Sequence, residues 1–235
     1  MNKRYGFENE MGATLDYGIH FLSYPVFEFG TEKIDSIEVP GRIGTLTRRT
    51  GEYSDTTIEN EIEFRAADRN EHELKMLEIR KFFMSTGRVV YTDMEEYYFR
   101  VKKVSIDDIK KKYGIFGNIT VTCDPVMYLQ EGDVSVPISG TLRLYNPWSE
   151  SHPIFKISGE GVCKITVNGK EVSANVGQNL LINTDLMQAY REDGVLNNTA
   201  IAGDYEDLYL QEGLNEISVS SGFTAEVIPK WGVRL

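Results

Sequence analysis

Cysteine, histidine and long apolar runs are all scarce in this 235-residue chain, and each scarcity closes off a class of function. The two cysteines, Cys123 and Cys163, lie in strand-like segments without Cys-x-x-Cys spacing or a neighbouring histidine. Neither a metal site nor a redox pair is indicated, and both read as buried thiols. The three histidines, His20, His72 and His152, are never within metal-ligand spacing of one another, so zinc or iron has no framework. No apolar run approaches the roughly 20 residues that a membrane-spanning helix requires, and no membrane insertion is expected. The opening Met1-Asn2-Lys3-Arg4-Tyr5 leads into Glu8 and Glu10 instead of an apolar stretch. The expectation is a chain without a secretory signal, made and folded in a cytoplasm.

Catalytic motifs are missing as well. There is no Gly-x-Ser-x-Gly elbow and no glycine loop ending in Gly-Lys-Ser or Gly-Lys-Thr. Gly159 and Gly161 are followed by Lys164 where a dinucleotide fingerprint needs its third glycine. Acyl, phosphoryl and hydride transfer lack their carriers, so the expectation is a protein that is not an enzyme and holds no cofactor. A glycosidase would need two converging carboxylates, for which Asp204 and Asp207 are the best pair by sequence. Thirty-six acidic against 25 basic residues give a formal charge of −11, the wrong sign for gripping a polyanion. Both halves of the chain are net acidic, so no basic domain is hidden and no specific nucleic-acid binding is expected.

What is present is strand signal. Short alternating or β-branched runs, such as Thr56 to Ala66, Tyr97 to Ile106, Ile154 to Ser158, Cys163 to Val167 and Thr224 to Ile228, are separated by Gly, Asn, Asp and Pro. Asn168-Gly169 between Val167 and Glu171 predicts a type I′ hairpin turn, which needs positive φ at both central positions. The exception is Glu71 to Met84, fourteen residues free of Gly and Pro, where Asn70 followed by Glu73 has the form of a capping box. The fold class is therefore all-β with one helix at about 71–84. A polar, Gly-containing stretch from Tyr128 to Val136 marks a boundary between a domain of residues 1–130 and one of 131–235.

Three groups of residues stand out. Along the helix, His72, Met76, Ile79 and Phe83 form one apolar stripe, while Leu74, Leu77 and Met84 lie well round the cylinder. Leu74 and Leu77 either widen a single core face or meet another subunit. In Thr57 to Phe64, period-two geometry sends Glu59, Glu61 and Glu63 to one side and Ile58, Ile62 and Phe64 to the other. The acidic side is either the solvated face of a half-buried sheet or the wall of a channel. Arg42, Arg48 and Arg49 cluster in a hairpin-like segment, either as ordinary surface charge or as a basic arm for an acidic neighbour, such as another copy of this chain.

An ordered set of signals resembles a known family. Val39-Pro40-Gly41-Arg42-Ile43-Gly44-Thr45-Leu46, a helix-containing β region and Cys123-Asp124-Pro125 with Tyr128 resemble the N-terminal domain of distal tail proteins of long-tailed phages. Tyr145-Asn146-Pro147, His152-Pro153-Ile154-Phe155, Gly159-Glu160-Gly161, Val167-Asn168-Gly169, Ile182-Asn183-Thr184-Asp185, Gly213-Leu214-Asn215 and Pro229-Lys230-Trp231 are similar, in the same order, to that family's C-terminal domain. Ile43 and Gly232 depart from the pattern, where a polar and a basic residue are more usual.

The resemblance implies a virion protein at the distal end of a phage tail. Its N-terminal β-barrel or sandwich would build a homo-hexameric ring, and a galectin-like or carbohydrate-module-like β-sandwich would project outward. The ring would join the tail tube protein to the tail-tip protein of the baseplate and dock receptor-binding proteins. Arg42, Arg48, Arg49, Leu74 and Leu77 are then candidates for the ring contact, and Glu59, Glu61 and Glu63 for its lumen. The alternative is a carbohydrate-binding module for host-surface adhesion, with Trp148, Tyr190, Tyr205, Tyr209 and Trp231 as stacking side chains.

Overall fold

Alternation of β-branched and polar residues becomes strand along most of the chain in the computed structural model, which describes residues 5–107 and 114–234. Two units form, one reaching to Met127 and one spanning Tyr128–Arg234. The first holds β1 (Phe7–Asn9), β2 (Gly12–Ala13), β3 (His20–Phe21), β4 (Val26–Glu28), β5 (Glu32–Ile37), β6 (Leu46–Tyr53), β7 (Thr56–Arg65), α1 (Arg69–Met84), β8 (Arg88–Tyr91), β9 (Tyr97–Ile106) and nearly all of β10 (Gly114–Leu129). Its main sheet runs in the order β2-β1-β8-β9-β10-β7-β3, with β4 also on β7, whereas β5 and β6 pair only with each other. The β7–β10 ladder is antiparallel and continuous from Thr56–Cys123 to Arg65–Gly114.

The alternation in β7 sorts its side chains cleanly. Ile58, Asn60, Ile62 and Phe64 are buried, and the residues between them face outward. The inward set shares one core with Phe7, Ile79, Phe82, Phe83, Tyr91 and Phe99. Several of these rings meet edge to face, as Phe82 and Phe83 do at 5.2 Å, an arrangement that aromatic quadrupoles favour. Asn60 is the polar exception. Its amide donates to the carbonyls of Ile58 (3.3 Å) and Ile119 (3.2 Å), and its oxygen accepts the Tyr91 hydroxyl at 3.0 Å. Burial without such partners would cost about 1–3 kcal/mol.

Helix α1 begins two residues before the expected start. The cap is Asp68, whose carboxylate accepts from the Glu71 amide at 2.9 Å, while Glu71 reaches back to accept from Ala67 N–H. Asn70 lies inside the first turn, so the reciprocal pairing predicted from Asn70 and Glu73 is not the one formed. At the other end, Asn9 of β1 donates to the Phe82 carbonyl at 3.0 Å and to the Thr86 hydroxyl at 2.7 Å, satisfying a helix-terminal acceptor. The face buried on the sheet is Ile79, Phe82 and Phe83, with His72 and Met76 half-buried, so the core stripe is turned slightly from the expected one.

The second unit comprises β11 (Val136–Ile138), β12 (Thr141–Asn146), β13 (Ile154–Val167), β14 (Lys170–Asn183), β15 (Gln188–Tyr190), β16 (Ile201–Ala202), β17 (Gly213–Val219), β18 (Thr224–Ile228) and β19 (Gly232–Arg234). Two short strands expected from the sequence are instead one long one. Ile154–Ser158 and Cys163–Val167 fuse through Gly159-Glu160-Gly161, and β14 pairs with the whole of β13. Gly159 (φ 148) and Gly161 (φ 101) permit a bend there without breaking the ladder, because glycine carries no Cβ to clash. Beyond the bend β13 changes its second partner, from β18 at Ile154–Ser158 to β17 at Ile165–Val167. The result is a curled antiparallel sheet whose buried parity, Phe155, Ile157, Cys163, Ile165 and Val167, is the same in both halves. The predicted turn is present, with φ of 51° at Asn168 and 84° at Gly169. The Asn168 amide oxygen accepts from Glu216 N–H at 2.9 Å and its NH2 donates to Asn215 at 2.8 Å, which ties the hairpin to β17.

Candidate assembly surfaces

Glu59 and Glu61 on β7 are exposed and Glu63 half-buried, all on the side away from the core. Cross-strand partners share a face, which adds His20 opposite Glu63, Val26 and Thr120 opposite Glu59, and Asn118 opposite Glu61. Glu28, opposite Thr57, also joins that side. Carboxylates at alternate strand positions stand about 7 Å apart, so each neighbouring pair repels by roughly 0.6 kcal/mol in water. Solvent absorbs that cost; an apolar or anionic cover would multiply it.

The strands β5 and β6 form a ribbon of a different kind. Every residue from Lys33 to Glu52 is exposed. Its base is laced by opposite charges, Arg49 to Glu32 at 3.1 Å and Lys33 to Glu52 at 3.2 Å. From Val39 to Thr50 there are three arginines and no carboxylate, so the tip is basic. Arg48 and Arg49 are consecutive in β6 and point to opposite sides, Arg48 across from Asp35 and Arg49 across from Ile34, while Arg42 lies in the turn. The ribbon also exposes Ile34, Ile37, Val39, Leu46 and, completely, Ile43. An isolated two-stranded hairpin is marginal in water, and one with apolar side chains on show has more to gain from a cover than most.

Helix α1 carries the third surface. Leu74 and Leu77 are each 64% exposed and Met84 74%, so they do not widen the core face. On a helical wheel they make one ridge that also carries Lys81 and is flanked by Glu71, Glu73 and Glu78, with Glu73 ion-paired to Arg69 at 3.3 Å. An exposed apolar stretch missed in the sequence precedes the ribbon: Leu22, Tyr24, Val26 and Phe29. Its signal was the apolar alternation around Pro25, which runs from the end of β3 to just beyond β4.

The second unit does not gather its aromatics into a platform. Trp231 is only 8% exposed and packs over Gly132, where an added Cβ would lie 2.4 Å from the Trp231 nitrogen. The ring of Tyr209 is stacked against His152 at 4.1 Å, and His152 Nδ1 lies 3.2 Å from an Asp185 oxygen. Trp148, Tyr190 and Tyr205 are half-buried. Asp207 is engaged by Lys170 at 2.8 Å, and Asp204 caps the short helical turn Tyr205–Leu208 through its backbone. Among the described residues, no group of three or more His, Cys, Asp or Glu is placed to hold a metal ion, and no helix is long and apolar enough to cross a membrane.

No protein-family model matches the sequence, and no curated protein matches it. Solved structures do. The Dit protein of phage SPP1, described as a paradigm of the hub adsorption apparatus in phages infecting Gram-positive bacteria, aligns over 96% of this chain and 98% of its own, with TM-score 0.66 and 12% identity. A chain from the baseplate of phage p2 in its activated conformation with strontium aligns over 95% of this chain and 97% of its own, with TM-score 0.50 and 13% identity. At such identities what is shared is the fold, and it is shared along almost the whole chain.

Proposed function

We propose that this chain is a distal tail protein, a structural part of the tail tip of a long-tailed phage. Copies close into a ring, six by the family resemblance, that joins the tail tube to the tail-tip protein and offers a platform for receptor-binding proteins. The observation that carries this reading is the likeness of fold to the SPP1 hub protein, which runs through both units in order. A single β-domain would be a weak guide, since common folds host many functions. An ordered pair of β-units is far more restrictive. The first unit is the ring-builder: it carries a bare ribbon, an apolar helix ridge and an acidic sheet face.

The electrostatics suit a conduit. With Glu59, Glu61 and Glu63 turned to the lumen, each copy adds three carboxylates to a wall that repels DNA phosphates and keeps a passing duplex from sticking. The chain works without catalysis, in the virion. The sugar-binding alternative draws no support from Trp231 and Tyr209, one buried and the other stacked by a histidine.

Native mass spectrometry and negative-stain electron microscopy of the purified chain, alone and mixed with its tail-tip partner, test the proposal. Closed rings with a central opening are expected. A chain that stays single at high concentration and binds no tail component would refute it. A glycan array carrying a specific binder would favour the alternative.

A further inference from the structure

Tyr5 and Tyr24 bring two phenols together at the surface of the first unit. The Tyr5 hydroxyl donates to the Tyr24 hydroxyl, and the ring centroids lie 4.1 Å apart with the planes tilted by 48°. Tyr24 is 59% exposed, and Tyr5, at the rim of the core, is half-buried. The backbone is anchored close to both rings. Gly6 accepts from the Thr92 N–H at 3.1 Å and from the Thr92 hydroxyl at 3.3 Å, and the Leu22 N–H donates to the Glu61 carbonyl at 2.9 Å. Inside these anchors the buried rings of Phe7 and Phe21 meet edge to face at 5.7 Å. The two segments therefore touch twice, by phenylalanines within and by tyrosines without. Water can satisfy an exposed phenol, so burial does not demand that the hydroxyls pair. What the pairing adds is two oxidisable rings in contact.

We infer that Tyr5 and Tyr24 form an oxidative coupling site, which a haem peroxidase with hydrogen peroxide joins into an intrachain dityrosine that staples the start of the first unit. The bond to Tyr24, ahead of burial and the charge of Asp93, holds the Tyr5 phenol above its ordinary range, so near pH 8 that ring is a neutral phenol. Each ring gives up one electron and its phenolic proton. The two radicals form one carbon–carbon bond ortho to the hydroxyls, and the hydrogens on those two carbons move to the oxygens, restoring both phenols. The two electrons and two protons removed reduce one hydrogen peroxide to two waters. Coupling between separate molecules waits on encounter, whereas here the partner ring is already in place, the gain that orientation gives any intramolecular step. One ring width plus one bond, the spacing of ring centres in an ortho-coupled pair, is close to the spacing observed, so the link forms by rotation of the side chains. The product ties the entry to β1 to the connection between β3 and β4, a part of the unit whose strands are only two or three residues long. The inference is independent of the ring reading.

Peptide mapping reads the site directly. The full-length chain is treated with a haem peroxidase and hydrogen peroxide near pH 8, and the single-chain band is taken from a denaturing gel. The expected product is lighter than the untreated chain by two hydrogens, fluoresces as dityrosine and, after digestion, yields the Tyr5 peptide joined to the Tyr24 peptide. Methionine oxidation adds oxygen and is told apart by mass. Coupling through an exposed ring such as Tyr145, which faces Leu214 across its ladder, joins two chains and runs as a dimer. Tyr5→Phe and Tyr24→Phe keep the ring packing and remove the phenol, and each should cut the intrachain product by about tenfold or more. Undiminished intrachain product in either variant would overturn the inference, as would Tyr5 and Tyr24 peptides recovered unlinked while dimers accumulate. A second measurement reads the staple. The link spans 19 residues of sequence and restricts the unfolded chain, so the linked protein should unfold at a higher urea concentration than the untreated one, and Tyr24→Phe treated in the same way should not shift. An unshifted midpoint in a mapped, linked chain would overturn the stapling role.

Discussion

Replacing Leu74 and Leu77 together by glutamine separates folding from assembly. Full burial of a leucine side chain is worth roughly 1.5–3 kcal/mol. At 64% exposure only about a third of that is realised in the single chain. Glutamine keeps part of the aliphatic stem and a helix propensity close to that of leucine. The pair of substitutions should therefore cost at most about 1–2 kcal/mol of folding stability by the same area scale. The remaining two-thirds is available only to a partner, about 1–2 kcal/mol per leucine. Losing both should weaken association by roughly 30- to 1,000-fold, at 1.4 kcal/mol per decade. Urea denaturation followed by circular dichroism in dilute solution reads the first quantity, and analytical ultracentrifugation the second. Ile79→Ala, on the buried side of the same helix, serves as contrast and should cost about 2–5 kcal/mol. A core-sized stability loss in the leucine variant, or unchanged association, would refute the assignment of the ridge to assembly.

Other consequences can be checked one residue at a time. Asn60→Ala strips the Tyr91 hydroxyl and the Ile58 and Ile119 carbonyls of their buried partner, and chemical denaturation should show a loss of about 2–4 kcal/mol. Burial holds the Tyr91 phenol well above its ordinary 10, against the opposing pull of its bond to Asn60. The unfolded chain ionises near pH 10 while the folded one stays neutral, so stability is intact below that pH and falls above it by up to about 1.4 kcal/mol per unit; Tyr91→Phe should flatten that alkaline limb. Gly159→Ala forces a left-handed φ on alanine and sets its Cβ 2.5 Å from Phe223 Cδ1, so the second unit should lose about 2–4 kcal/mol in denaturant melts, and a neutral result would argue against the bend. Iodoacetamide near pH 8 should leave both native cysteines unmodified until urea unfolds the chain, as read by intact mass.

Period was legible in the sequence wherever it was local. The alternation of Thr57 to Phe64 fixes which side chains of β7 share a face, because strand geometry repeats every two residues regardless of what lies beyond it. Asn168-Gly169 announces its turn because few other pairs tolerate positive φ twice. The existence of α1 followed from fourteen residues without a breaker, but its start did not. Asp68 and Asn70 are both good caps, and the choice between them falls to Glu71 reaching back to Ala67. Gly159 and Gly161 read as a strand end, yet β14 holds the ladder through them, a pairing that sequence-local signals do not contain.

Sequence by itself thus determined an acidic all-β chain with one helix, three glutamates on one strand face and arginines clustered near a turn. Only the tertiary structure decided that Leu74 and Leu77 stay outside the core and that the arginines sit on a bare ribbon. The reason is that periodicity tells which side chains travel together, whereas burial depends on which neighbour arrives to cover them. In α1 the sheet took the side of Ile79, Phe82 and Phe83, leaving the other ridge to solvent.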